Sequence, residues 1–175
     1  MSKNWDEVRK LAVQYADENI NNRSMNCSES VFEALIRSGA IEASLEDVSY
    51  ATGFGGGGGG VGFTCGALAS GILANSMAHG RKKPAETTNR MELKETLYKR
   101  YNNLVSDFVK VAGSGLCREI INEFPEGYND DQTRPNCIRI VAAAAGIAVD
   151  YIRMDAEEAA KLEYDPNVVG IKNWI

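Results

Sequence analysis

Apolar residues recur at steps of three or four through most of this chain, a period that predicts helices. Trp5, Val8, Leu11, Ala12 and Tyr15 share one face of a first helix over residues 3–21, ending at Asn21-Asn22. Val31, Phe32, Leu35 and Ile36 line a second over 27–38, with Gly39 as its stop. Residues 45–51 suit a short helical turn, and a small-residue helix follows over about 64–79. The longest predicted helix covers about 86–112, where Leu93, Leu97, Tyr101, Leu104, Phe108 and Val111 form one stripe until Gly113-Ser114-Gly115 breaks it. A short helix over 116–122 stops before Pro125 and a polar loop. The last strong helix covers 137–154 and turns Ile138, Val141, Ala145 and Ala148 inward. No segment alternates with a period of two. The pattern therefore predicts an all-α fold, one compact domain over 1–175 with about six helices and a core over 5–155. The tail, 156–175, is apolar at Val168, Val169, Ile171, Trp174 and Ile175 and suits docking on a neighbour, a homodimer included.

Residues 53–62 interrupt this pattern. Eight of the ten are glycine, six of them consecutive, so no regular element is expected there. Two readings stand side by side. The run is a flexible linker, or it is a collar whose amides form an anion-binding concavity beside the helix that follows. It is no nucleotide P-loop, because Val61-Gly62-Phe63-Thr64-Cys65 stands where Lys-Ser/Thr should close that motif.

Composition narrows the class. Hydrophobic residues are 44% of the chain and charged residues 25%, proportions of a folded domain. A net charge of −5 disfavours nucleic acid or an anionic membrane surface as a partner. No apolar run reads as a membrane span, and the start, Met1-Ser2-Lys3-Asn4-Trp5-Asp6, has no apolar signal region. Together these features point to the cytoplasm, where structural disulfides are rare. The four cysteines are then fillers, metal ligands or redox thiols.

Their placement favours chemistry. Cys27 follows Asn26, Cys65 follows Thr64, Cys117 follows Gly113-Ser114-Gly115 and Cys137 follows Asn136, so each opens a predicted helix. Free N–H groups and the positive end of the helix dipole lower a thiol's pKa, which makes a better nucleophile and a better metal ligand. The spacing is long. The cysteines leave 37, 51 and 19 residues between them, so there is no C-x-x-C pair, zinc ribbon or ferredoxin loop. A shared site must come from the tertiary fold. His79 is the only histidine, and its expected place is a solvated last turn. Arg81-Lys82-Lys83 suits the same helix end, and Asp130-Asp131 lacks an acid–base partner.

Four passages carry a resemblance. They are Asn26-Cys27-Ser28-Glu29-Ser30-Val31, Gly53-Phe54-Gly55-Gly56-Gly57 leading to Cys65-Gly66-Ala67-Leu68, Cys117-Arg118-Glu119-Ile120, and Cys137 opening the closing helix. The chain resembles the small redox-active proteins named after their C-GCAxxG-C-C pattern, over residues 5–155. One position departs: C-G-A-x-x-G would put glycine at 70, where Ser70 stands before Gly71.

The resemblance implies a helical fold with Cys27, Cys65, Cys117 and Cys137 as the functional cysteines and Gly55, Gly56, Gly57 and Gly66 against the cofactor. Through the similar cluster-bearing part of split-Soret cytochromes c, it also implies an iron–sulfur cluster, [2Fe–2S] or [4Fe–4S]. No C-x-x-C-H is present, so haem attachment is not carried over. The leading expectation is electron transfer with a redox partner protein. The alternatives are a metal-free thiol–disulfide enzyme or sensor and a protein with a structural zinc held by all four cysteines.

Overall fold

The computed structural model describes residues 3–83, 90–129 and 131–171. Among them lie nine α-helical segments and no strand, as the hydrophobic period predicts. Five are long: α1 (Trp5–Asn21), α2 (Cys27–Arg37), α4 (Gly66–His79), α6 (Leu97–Ala112) and α8 (Thr133–Arg153). Four are short: α3 (Gly55–Gly58), α5 (Arg90–Glu95), α7 (Cys117–Asn122) and α9 (Ala156–Ala160).

Helix α8 is the hub, packed on α1, α2, α4 and α6. Its Ile140, Val141, Ala144, Ala145, Ala148 and Val149 meet Ala12, Ala16, Val31, Phe32, Leu35, Ala67, Leu104 and Phe108 in one buried core. By length and composition α8 could span a membrane, contrary to the sequence reading, and 56% of its most apolar window is buried in this fold. Its apolarity follows from being covered on several sides by other helices.

The helix ends have local causes. Asn26 caps α2 by accepting from the Ser28 and Glu29 amides, while the Glu29 carboxylate accepts from the Asn26 amide. Helix α2 closes where Gly39 takes a left-handed φ of +74°. The expected turn at 45–51 is a longer 3₁₀ segment, Leu45–Phe54, capped by Ser44 and Asp47. The helix expected over 86–112 is divided at Thr96 into α5 and α6, and its first residues lie outside those described. Helix α8 begins four residues before Cys137, because Pro135 fits a first turn, whose N–H groups need no partner within the helix. Helix α9 was hidden in the tail, although Asp155 and Glu158 form a capping box there. Asp165 ties the tail to α6 by accepting from Ser106 and by donating its amide to the Asn102 side chain, so this stretch docks on its own domain. Trp174 and Ile175, two of the apolar tail residues, lie outside the described residues, as do Pro84 and Asp130.

Two polar side chains close the C-terminal end of α8. Arg100 is 1% exposed and donates to the carbonyls of Tyr151 and Asp155. His79 is half-buried and not solvated as expected: its Nε2 lies 2.8 Å from the Ile152 carbonyl, so the neutral ring donates there. Burial lowers its pKa, the Ile152 bond opposes this, and Arg100 lowers it further. A folded pKa below the unfolded one means stability present above the unfolded value and lost as pH falls. Melting temperature should therefore drop between about pH 7 and pH 5.5 in a way that His79→Gln removes. Parallel melting curves for the two proteins would show that His79 carries none of this dependence.

Candidate functional site

The glycine run is a folded knot and not a linker. Residues Gly55–Gly58 make one turn, and the loop then doubles back: the Gly62 amide donates to the Gly56 carbonyl (3.0 Å) and the Phe63 amide to the Gly57 carbonyl (2.9 Å). From there the chain is stitched to the segment before α7. The amide of Cys65 donates to the Gly115 carbonyl (2.8 Å), that of Cys117 to Phe63 (2.7 Å) and that of Arg118 to Gly62 (3.0 Å). A single antiparallel bridge joins Thr64 and Leu116 in the middle. These bonds bring Cys65 and Cys117 side by side although 51 residues separate them in the chain.

Glycine is needed where the knot meets the cysteines. At Gly57, φ is +71°, and a Cβ would lie 2.8 Å from the Cβ of Cys117 and 2.7 Å from the Phe63 amide nitrogen. Gly66 is helical, but a Cβ there would sit 2.8 Å from the Sγ of Cys27 and from the Phe54 carbonyl oxygen. Gly55 lies against the Asn26 side chain, and Gly56 lines the cavity beside the cysteines. All four glycines singled out in the sequence thus touch the cysteine neighbourhood.

The four cysteines come from four different parts of the fold. Cys27 opens α2, Cys117 opens α7, and Cys65 is the residue before α4. Cys137 departs from the sequence reading, since it sits in the second turn of α8 and not at its start. Cys27 and Cys117 each lie within electrostatic reach of the other three thiols. Cys27, Cys117 and Cys137 are half-buried and line a cavity of about 530 Å³. Cys65 is buried and is not on its wall. All four are free thiols.

The acidity of Cys65, Cys117 and Cys137 runs against the helix-dipole expectation. Burial, and after it the neighbouring Cys27, pushes Cys65 up to about 12, although the Ala67 and Leu68 amides pull it down. Burial pushes Cys137 up to about 11, with Cys27 and Cys117 adding to it and Arg134 opposing. Burial and then Cys27 raise Cys117. The amides do act as expected at Cys65. Desolvation and the repulsion among gathered thiolates outweigh them. The Cys65 and Cys137 thiols are protonated near neutral pH.

Residues 25–151 match the family described as "Putative redox-active protein (C_GCAxxG_C_C)", well over half of the chain. The chain belongs to this family. No curated protein and no solved structure matches it. The family match begins at α2, so α1 lies outside it despite its packing on α8.

At the position where this chain departs from the C-G-A-x-x-G pattern, Ser70 is fully buried. Its Oγ donates to the Ser28 carbonyl (2.8 Å) and lies 2.7 Å from the Ser28 Oγ. Helix α4 stays regular, and the pair joins the turns that follow Cys27 and Cys65. Sequence reasoning missed Ser28, Arg118 and Arg134. Their only signal was adjacency: Arg118 follows Cys117, and Arg134 lies one turn before Cys137 on α8.

Proposed function

We propose that this member of the C_GCAxxG_C_C family carries one redox centre in which Cys27, Cys65, Cys117 and Cys137 hold an iron–sulfur cluster and pass electrons to a partner protein. The observation that supports it most is the cavity wall shared by Cys27, Cys117 and Cys137, with Cys65 within electrostatic reach of Cys27 and Cys117.

The residues fit a cluster better than a single ion. A single zinc needs its sulfurs about 2.3 Å from one point. Among the described residues no three His, Cys, Asp or Glu side chains are gathered for a single ion. A cluster spreads its ligands over several metal atoms, so thiols supplied by four separate segments suit it. Gly57 and Gly66 keep side-chain bulk away from Cys117 and Cys27. The cluster would supply one-electron transfer, with a potential set by burial and by the hydrogen bonds around its sulfurs. The chain's own part is to hold three sulfurs at helix starts and one in the second turn of α8, and to bury Cys65. Since ligating thiols must lose their protons, and these hold them tightly, loading would release protons and favour alkaline pH.

Anaerobic purification, followed by iron and acid-labile sulfide analysis and a visible spectrum, tests this reading. Iron and sulfide bound in equal amounts, with visible absorption that bleaches on reduction, are expected. A colourless, iron-free chain after anaerobic reconstitution would sink the cluster and leave thiol–disulfide cycling. In that event brief iodoacetamide treatment of the reduced, folded chain should label Cys27, Cys117 and Cys137 about tenfold faster than the buried Cys65, read by peptide mass spectrometry.

A further inference from the structure

We propose that the cavity walled by Cys27, Cys117 and Cys137 is an anion-selective substrate site, anchored by Arg118 and Arg134, for a small organic anion bearing a carboxylate or phosphate. This rests on reading the cysteines as one redox centre, and it names what that centre meets.

Charge is the first argument. The chain carries a net charge of −5, yet this cavity is lined by two arginines and, among the described residues, by no carboxylate. A second cavity of similar size, about 520 Å³, is the opposite: Asp107, Asp150 and Glu158 line it with a single arginine, Arg153. Like-signed groups in a concave, low-dielectric wall focus their field on whatever enters, so the cysteine cavity draws anions.

The arginines are also available. Arg118 stacks its guanidinium 5.7 Å from the centre of the Phe63 ring and has no ion-pair partner among the described residues. Its backbone is pinned to Gly62, so the head group is held at the rim by the same knot that places Cys117. Arg134 donates one nitrogen to the Ile20 carbonyl (2.6 Å), which anchors the side chain and leaves further N–H donors unused by any bond among the described residues. A planar guanidinium suits a carboxylate or phosphate, which it can meet with two parallel bonds.

Size and apolar lining indicate an organic ligand. A volume of about 530 Å³ lies in the range of small-molecule sites, far above that of a bare ion. Ile20, Met25, Val61 and Ile121 complete the wall and offer an apolar surface for the ligand's body. Polar anchors at one place and apolar walls at another orient a molecule, and three thiols line the same space.

The test compares two disulfide reagents on the full reduced chain, as purified and after chelation: the dianionic dithiobis-nitrobenzoate and the neutral dithiodipyridine. In each, a cysteine thiolate attacks one reagent sulfur, a mixed disulfide forms, the reagent S–S bond breaks, and the leaving thiolate carries away the electron pair. Arg118→Gln should slow the anionic reagent about fivefold and leave the neutral one unchanged, Arg118→Lys should restore most of the rate, and added salt should narrow the gap. Arg134→Gln should act in the same direction. Equal slowing of both reagents, or no change in either, would overturn the anion site. Arg118 is exposed, so its variant stays informative even if Arg134→Gln fails to fold. Chelation removes bound iron before the two reagents are compared, so loss of the anion preference and loss of the cluster are separate results.

Discussion

Replacing Gly57 with alanine is expected to destabilise the protein by about 3–4 kcal/mol. Two costs combine. A left-handed backbone costs an alanine roughly 1–2 kcal/mol, and Gly57 has a φ of +71°. The new methyl group would then lie 2.8 Å from the Cys117 Cβ and 2.7 Å from the Phe63 nitrogen, a misfit of the size of core overpacking, roughly 1–3 kcal/mol. One obstacle is backbone and the other starts α7, so neither yields as the end of a long side chain would. For a chain of this length the melting temperature should fall by about 10 °C. Gly59→Ala is the control. Its φ is +66° but nothing lies within 4 Å, so only the backbone cost of about 1–2 kcal/mol applies. Equal melting temperatures for the two variants would mean that the knot does not press on Cys117 as described.

Replacing Cys27 with serine should remove most of the redox function while leaving the fold in place. Its Sγ abuts Gly66, next to Cys65, and it is an electrostatic neighbour of all three other thiols. Serine is smaller and keeps the Asn26 cap, whose bonds run through the Ser28 and Glu29 backbone. Weakening of metal retention on the order of a hundredfold is expected, beyond the 10–100-fold typical of losing a group that only supports a ligand. Iron and sulfide per chain, and thiols reversibly lost under mild oxidant, measure it. Helical circular dichroism and melting temperature should stay near those of the parent. Unchanged iron together with unchanged reversible thiol loss would take Cys27 out of the centre.

Much of the fold was legible because its signals are local. The apolar stripe of α1 and the cap of α2 lie within a few residues of the structure they determine, and both elements begin and end close to the expected places. Where the local signal was ambiguous, boundaries slipped: Pro135 and Asn136 read as a helix start, yet α8 opens at Thr133. The short α9 has a capping box, but its five residues carry too little hydrophobic period to mark a helix.

The parts are legible from residue order alone: the helices, four thiols, a glycine run that admits backbone left-handed at six of its eight glycines, and the family to which those features belong. Packing between distant segments makes the run a knot, joins it to the segment before Cys117, and brings Cys27 and Cys117 within electrostatic reach of the other thiols. It also reversed the expected acidity. A helix N-terminus acts over one turn and can be read from neighbouring residues, whereas burial and the repulsion of a thiolate on another helix depend on what packs against it. Arg118 and Arg134 show the same division. Each is an ordinary surface-type residue in sequence, and it becomes a charged wall of the cysteine cavity only through the packing of α7 and α8 around it.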